Sequence, residues 1–504
     1  MSAQTCNAAI GSRQSVGTLP SFGTDMHGTD VSFAEEAEVE AEEEAEAEEE
    51  VEEEDTAQAA GDPLAGLSKN GRKRLLKASQ LESRKAKRKE EKSKRKQARR
   101  EKAAALASEG ATVQAPSAAA AHQEAVDAAS EAPAEREDPW AMWKRFGCPK
   151  FVLAPMVNQS ELAFRLLARR HGAHLTYTPM LHSTRFAAEE GYRLENFDYH
   201  PQDRPLVAQF CGDNPATLLA AARLAQDHCD AIDLNCGCPQ GIARRGHYGA
   251  FLLDEPELIE DIVRTLVGGL RIPVFVKMRV LPQLERTLSL VKRLEAAGCS
   301  LLTIHGRTRE QKTSCAADWA LLATIKRSVT RMPVVANGGV EQPEDLERCL
   351  AATGCDAVMT SEAALENPSM LAGVPTSRGG QAAVTREYIA LARAHPPRAV
   401  AVLKAHLFKL LFLALEANRD LRDRLGAVMS AEEVFQIGLE TCEREEAAAR
   451  EHPEEMNARC DIEGAPFTSW YRRHRNSPLQ TAEQIAAQPP RPFSDRTLFG
   501  DDAY

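Results

Sequence analysis

From Lys150 onward, short apolar runs recur along the chain, each followed by a segment whose apolar positions have helical spacing. The runs are 151–154 (FVLA), 174–178 (HLTYT), 206–210 (LVAQF), 230–235 (DAIDLN), 273–277 (PVFVK), 301–305 (LLTIH), 333–337 (PVVAN) and 356–360 (DAVMT). Runs this continuously apolar are strands covered on both faces, as in a parallel sheet. Between them, Glu161–Arg170, Thr217–His228, Glu257–Val267, Leu284–Ala297, Ala320–Ser328 and Pro343–Ala352 read as amphipathic helices. Eight strands alternating with helices over about 230 residues predict an α/β fold, a (β/α)8 TIM barrel, across 147–375. A doubly wound open sheet is the alternative; it is disfavoured because no G-x-G-x-x-G follows the first strand. Beyond 375 the strands stop. Thr385–Ala394, Ala399–Leu415, Arg419–Val428 and Ser430–Ala447 predict a small helical domain over 380–450, followed by an irregular tail over 451–504.

Residues 1–140 carry no such pattern and are expected to be a long disordered extension, acidic and then basic. Glu35–Asp55 holds fifteen acidic residues and no basic one, while Lys69–Lys102 holds seventeen Lys or Arg against four Glu. The formal net charge of −12 therefore hides a basic run suited to RNA phosphates or to nuclear import, with a solubilising tail as the plain alternative. The twelve cysteines form no C-x-x-C pair, so neither a zinc site nor a disulfide framework is expected, and a reducing compartment fits. No apolar stretch is long enough to span a membrane. The first thirty residues have Arg13 as their sole basic residue, which favours a cytoplasmic or nuclear location over an organellar one.

Chemistry in a barrel gathers where the strands end, at the C-terminal face. The first strand ends in Pro155-Met156-Val157, where methionine offers a soft surface to a flat ring, and the third ends at Gln209, an amide able to meet a pyrimidine edge. The fourth ends in Asn235-Cys236-Gly237-Cys238-Pro239, placing a thiol in a loop. In an extended segment Cys236 and Cys238 would face the same side. Lys277 and Arg279 end the fifth strand with both side chains toward the barrel mouth, and no obvious acid follows to pair with them. His305-Gly306-Arg307 ends the sixth, a second cationic cluster. Asn337-Gly338-Gly339 and Ser361-Glu362 end the seventh and eighth, where barrel phosphate sites gather. A ligand with a phosphate at one side and a planar, partly anionic head near Lys277 matches FMN.

Taken in order, LAPMV (153–157), DLNCGCPQGIARRGHYGAFL (233–252), VKMR (276–279), HGRTREQK (305–312) and VANG (335–338) resemble the tRNA-dihydrouridine synthase family, most like its eukaryotic branch acting at positions 16 and 17 of the tRNA D-loop. The resemblance runs from about Pro149 to Pro368, with weaker similarity through the helical part. It implies an FMN oxidoreductase with NADPH or NADH as reductant and Cys238 as the acid that protonates carbon 5 of uridine. It also places Pro155, Met156, Val157, Gln209, Lys277, His305, Asn337, Gly338, Gly339, Ser361 and Glu362 at flavin positions, with Asn235, Arg279 and Arg307 toward the substrate. Three positions depart from the family pattern: Cys236 replaces Leu or Met, Gly339 replaces Asn or Asp, and Ala363 replaces Gly.

The resemblance further implies tRNA as partner, gripped by the helical domain; a substrate of that size asks for no dimer, so a monomer is expected, and the cysteine spacing leaves no metal expected. Two other readings remain open: an FMN barrel oxidoreductase acting on a small pyrimidine, and a tRNA-binding protein without turnover.

Overall fold

The computed structural model describes residues 137–311 and 315–460. The acidic run, the basic run and the Trp470–Arg475 cluster lie outside the described residues, as do most of the expected disordered extension and tail.

Among the described residues one sheet is formed, with all its strand pairs parallel. Its strands are β1 (Phe151–Leu153), β2 (Thr176–Tyr177), β3 (Leu181–His182), β4 (Leu206–Cys211), β5 (Ala231–Cys236), β6 (Val274–Arg279), β7 (Leu301–His305), β8 (Val334–Asn337) and β9 (Ala357–Thr360). The expected single strand at 174–178 is broken: β2 and β3 both pair with β4, as two halves of one stave. Pro179 lies between them and has no N–H to continue a ladder. The sheet closes on itself where the Leu153 N–H donates to the Leu175 carbonyl at 3.0 Å and the His174 N–H to the Phe151 carbonyl at 2.9 Å. Eight staves in a closed ring are the expected TIM barrel.

The period of two along each strand sorts the side chains. Outward positions such as Phe210, Leu234, Val276, Ile304 and Val358 meet the helices. Those helices are α2 (Leu162–Arg170), α5 (Pro215–Ala225), α7 (Pro256–Gly269), α8 (Leu284–Ala296), α9 (Trp319–Ser328) and α10 (Pro343–Thr353), numbered after a short α1 (Pro139–Arg145) and with the other short helices counted in chain order. Several start where local chemistry demands it. The Asn214 side chain accepts from the Thr217 N–H ahead of α5, and Asp318 accepts from the Leu321 N–H ahead of α9.

Inward positions divide by height. At the N-terminal end, Val152, Leu175, Val207, Ala231, Phe275, Leu301, Val335 and Ala357 pack with Met142, Trp143 and Phe146, so α1 stoppers the barrel. This helix opens at Pro139, beside the aromatic pair Trp140 and Trp143, at the edge of the segment expected to be a disordered extension. Toward the C-terminal end the inward residues turn polar: Gln209, Asp233, Asn235, Lys277, Arg279, Thr303, His305 and Asn337.

The helical region is α12 (Arg378–Ala394), α13 (Val400–Leu410), α14 (Phe412–Ala417), α15 (Arg419–Ala427), α16 (Ala431–Glu451) and α17 (Pro453–Asn457). The single helix expected over 399–415 is two, interrupted at Leu411, and α17 adds order to the start of the expected tail. None of the described helices is long and apolar enough to cross a membrane.

Candidate active site

Asn235, one residue before the end of β5, bends the chain that follows. Its Oδ1 accepts from the backbone N–H of Gly237 at 2.9 Å and of Cys238 at 3.0 Å, a side-chain-capped turn that ends the extended run. The two neighbouring thiols therefore part company, correcting the expectation that they share a side. Cys236 is fully buried among the outward apolar residues. Cys238 is only partly buried and packs near Cys211, Tyr248, Met180 and Phe251. Behind it, the Ala250 N–H donates to the Cys238 carbonyl at 2.9 Å. Gly249 adopts φ +67°, and a Cβ there would stand 2.7 Å from that carbonyl, so the residue must be glycine. Burial pushes the Cys238 thiol up, against the pull of the Gln240 backbone, Arg279 and Lys277.

The cations at the mouth do have an acid, contrary to the sequence reading. Asp233, on the inner face of β5, lies fully buried near Lys277. Burial raises its carboxyl to about 7, opposed by a hydrogen bond from Gln209 and by the Lys277 charge. Burial and the neighbouring Arg279 lower Lys277 to about 8. His305 is held well below its ordinary value by burial and by Arg279, Lys277 and Arg307, so the ring is neutral at physiological pH.

Arg279 is held by the scaffold: Nε donates to the Gly237 carbonyl and Nη1 to the Thr308 carbonyl, both at 2.9 Å. It ties the Cys238 turn to the loop after β7. Arg307 is 4% exposed and donates to the Cys315 carbonyl at 2.5 Å, while its Nη2 has no partner. Gln209 bridges Asp233 and Asn235 at 2.8 Å on each side. Met156 is nearly buried and packs into the outer apolar layer, so it gives less of a shelf than expected; Val157 is 44% exposed at the rim.

On the opposite rim, Asn337 Nδ2 donates to the Met359 carbonyl at 3.0 Å, and Trp319 Nε1 to the Gly338 carbonyl at 3.0 Å. Gly338 and Gly339 have φ of +99° and +79°. A Cβ on Gly338 would lie 2.8 Å from His305 Cε1, and one on Gly339 would lie 3.1 Å from Trp319 Nε1. That crowding accounts for glycine at 339. Ser361 precedes α11 (Glu362–Glu366), and burial raises the Glu362 carboxyl beside Arg307, Lys409 and Arg279.

The structure thus gathers the predicted residues of all these strand ends at one barrel mouth. Sequence reasoning missed Asp233 and the groups that the helical region brings to the β1 loop. Tyr388 donates to Glu161 at 3.0 Å, His406 Nε2 lies 2.9 Å from the same carboxylate, and Lys409 donates to Gln159 at 2.5 Å. Asp233 had a signal, an acid at the inward parity of an apolar strand. Glu161 and His406 are 245 residues apart and had none.

Among the described residues no group of His, Cys, Asp and Glu suits a metal ion. The profile of the dihydrouridine synthase (Dus) family matches residues 152–450. A tRNA-dihydrouridine(16/17) synthase-like protein of Mus musculus is 46% identical over 300 residues, covering 58% of this chain and 62% of that one, less than two thirds of its length. The tRNA-dihydrouridine(16/17) synthase of Saccharomyces cerevisiae is 41% identical over 308 residues, 58% of this chain and 73% of its own. A tRNA-dihydrouridine(20a/20b) synthase-like protein of Homo sapiens is 37% identical over 225 residues, 44% of this chain and 70% of its own. With the family match spanning more than half of its 504 residues, on a closed barrel with the motif residues at one mouth, the chain belongs to the dihydrouridine synthase family.

Proposed function

We propose that this protein is an FMN-dependent tRNA-dihydrouridine synthase, reducing the carbon 5–carbon 6 double bond of uridines 16 and 17 in the tRNA D-loop with NADPH or NADH. The observation that carries this reading is the placing of Cys238 in a shaped turn at the rim of a polar, cation-lined barrel mouth. The mouse and yeast relatives are named for positions 16/17, which supports that choice of uridines.

The residues present fit FMN. His305 Nδ1 and Arg307 Nη2 are buried without hydrogen-bond partners, and such groups are costly unless a polar ligand satisfies them. The backbone of Gly338 and Gly339 can approach a phosphate closely, since neither carries a side chain. Lys277 supplies positive charge for an electron-rich ring, with Pro155, Val157, Gln209, Asn337, Ser361 and Glu362 around it.

Bound FMN, once reduced, would supply the hydride for carbon 6. The chain's own part is proton delivery and orientation. A thiol raised by burial stays protonated at neutral pH, so Cys238 serves as general acid to carbon 5. Asn235 holds that thiol's turn, and Arg279 ties the turn to the barrel rim. A uridine in folded tRNA must leave its stack to reach this depth, and the helical region over 380–450 is the surface that would grip the rest of the tRNA.

The test is direct. Purified protein should be yellow, oxidise NADPH, and form dihydrouridine in tRNA but not in free uridine nucleotide, read by nucleoside mass spectrometry. Cys238→Ala should keep its flavin and lose dihydrouridine formation by about 10²- to 10⁴-fold. Loss of activity in Cys236→Ala with Cys238→Ala spared would overturn the assignment.

A further inference from the structure

Asp233 is fully buried two residues before Asn235 on the same strand face, and the proton delivery assigned to Cys238 makes no direct use of it. Asp233 Oδ2 accepts whether the carboxyl is ionised or carries its proton on Oδ1, which has no partner of its own. Gln209 therefore turns its NH2 group to Asp233 Oδ2, at 2.8 Å. That leaves Gln209 Oε1 facing Asn235, whose Nδ2 donates to it at 2.8 Å. Asn235 Oδ1 is then the end that meets the N–H groups of Gly237 and Cys238. The far end of the chain demands the same order, because backbone N–H groups only donate. Flipping either amide would set like against like at hydrogen-bond distance in a buried site, where unmet polar groups are most costly.

We propose that Asp233 is a positioning residue for Cys238: through the Gln209 and Asn235 amides, its carboxylate sets the turn that aims the thiol. The proposal rests on the reading of Cys238 as proton donor. A different role, as a plain counter-charge to Lys277, makes a different prediction. A counter-charge needs the negative charge at 233, whereas the relay needs only an acceptor facing Gln209.

The experiment uses the full-length flavoprotein and two readouts. One is the rate of Cys238 alkylation by iodoacetamide across pH, followed on the Cys238 peptide by mass spectrometry, which needs no turnover. The other compares flavin reduction by NADPH with reoxidation of the reduced flavin by tRNA. Asp233→Leu removes the acceptor. Its thiol should be freed from the burial that raises it, so alkylation should quicken and its midpoint should move down toward the ordinary value of about 8.5. Reoxidation by tRNA should slow by about 10- to 100-fold while NADPH reduction stays within about twofold. Asp233→Asn, which keeps an acceptor oxygen, should restore the wild-type alkylation profile and most of the reoxidation rate.

A second pair guards against misfolding of the leucine variant. Gln209→Glu alone sets two acceptors against each other and should disturb the profile. Combined with Asp233→Asn, it exchanges the two groups, keeps the order at Asn235, and should restore the profile. An unchanged profile in Asp233→Leu, or equal damage in Asp233→Asn and Asp233→Leu, overturns the proposal. If wild-type protein forms no dihydrouridine, the reading of Cys238 as acid fails, while the alkylation profiles still decide whether Asp233 sets the turn.

Discussion

Cys236 and Cys238 stand two residues apart, one packed under helices and the other at the barrel mouth, because the Asn235 side chain draws the Gly237 and Cys238 N–H groups into a turn. Their roles should separate accordingly. Cys236→Ala leaves a small void in a packed layer, with an expected cost of about 1 kcal/mol in chemical denaturation and activity within about twofold of wild type. Gly338 offers the complementary case. Its φ of +99° and the 2.8 Å approach to His305 leave no room for a methyl group. Gly338→Ala should weaken FMN by about tenfold, roughly 1.4 kcal/mol, measured by flavin titration of the apoprotein.

At the scale of elements, α2 is fixed to the barrel by a buried charge cluster. Arg165 and Asp203 are both fully buried and 2.7 Å apart, and Arg169 reaches the same carboxylate at 2.8 Å. Burial alone would raise the Asp203 carboxyl, yet Arg165 and Arg169 outweigh it and hold it below its ordinary value. Because the folded value is depressed, the carboxylate contributes stability that is present above the unfolded value near 4. That stability is lost as pH falls through the folded value. Asp203→Asn takes the ion-pair partner from Arg169 and leaves Arg165 with Asp198; it should cost about 3–5 kcal/mol at pH 7, judged by urea midpoints, with the gap to wild type narrowing in acid below about pH 4. A gap that stayed constant down to pH 3 would mean that the cluster is held by shape and not by charge. The helix break at Leu411 belongs to the same scale: α13 and α14 are both strongly apolar, and nothing in their local pattern marks where one stops.

For the whole molecule, the seam between barrel and helical region matters most. Glu161 sits on the β1 loop that carries Met156 and Val157, and it receives Tyr388 from α12 and His406 from α13. Lys409 of α13 donates to Gln159 on the same loop, and burial lowers its ammonium to about 7. A seam made of buried hydrogen bonds to a charged group should bind the two parts into one cooperative unit. Calorimetry of the wild type should show a single transition across 137–460, and Glu161→Ala should lower it by about 3 kcal/mol or split it in two. A wild-type profile already split into two would argue against that coupling.

The barrel, its strand order and its functional rim were legible in the sequence because each rests on local signals: apolar runs, period-two alternation, and polar residues or glycines at strand ends. From those signals alone Lys277, His305 and Asn337 were placed at one mouth. Asp233 was legible in principle, since it shares its strand face with Asn235, but its meaning required knowing that Gln209 on the next stave lies within reach. The direction in which Cys236 points, the commitment of Arg279 to backbone carbonyls, and the pairing of Glu161 with His406 belong to the tertiary structure alone. Each depends on which groups meet in space across tens or hundreds of residues. A hydrogen bond is decided over about 3 Å, a distance that spacing along the chain does not encode.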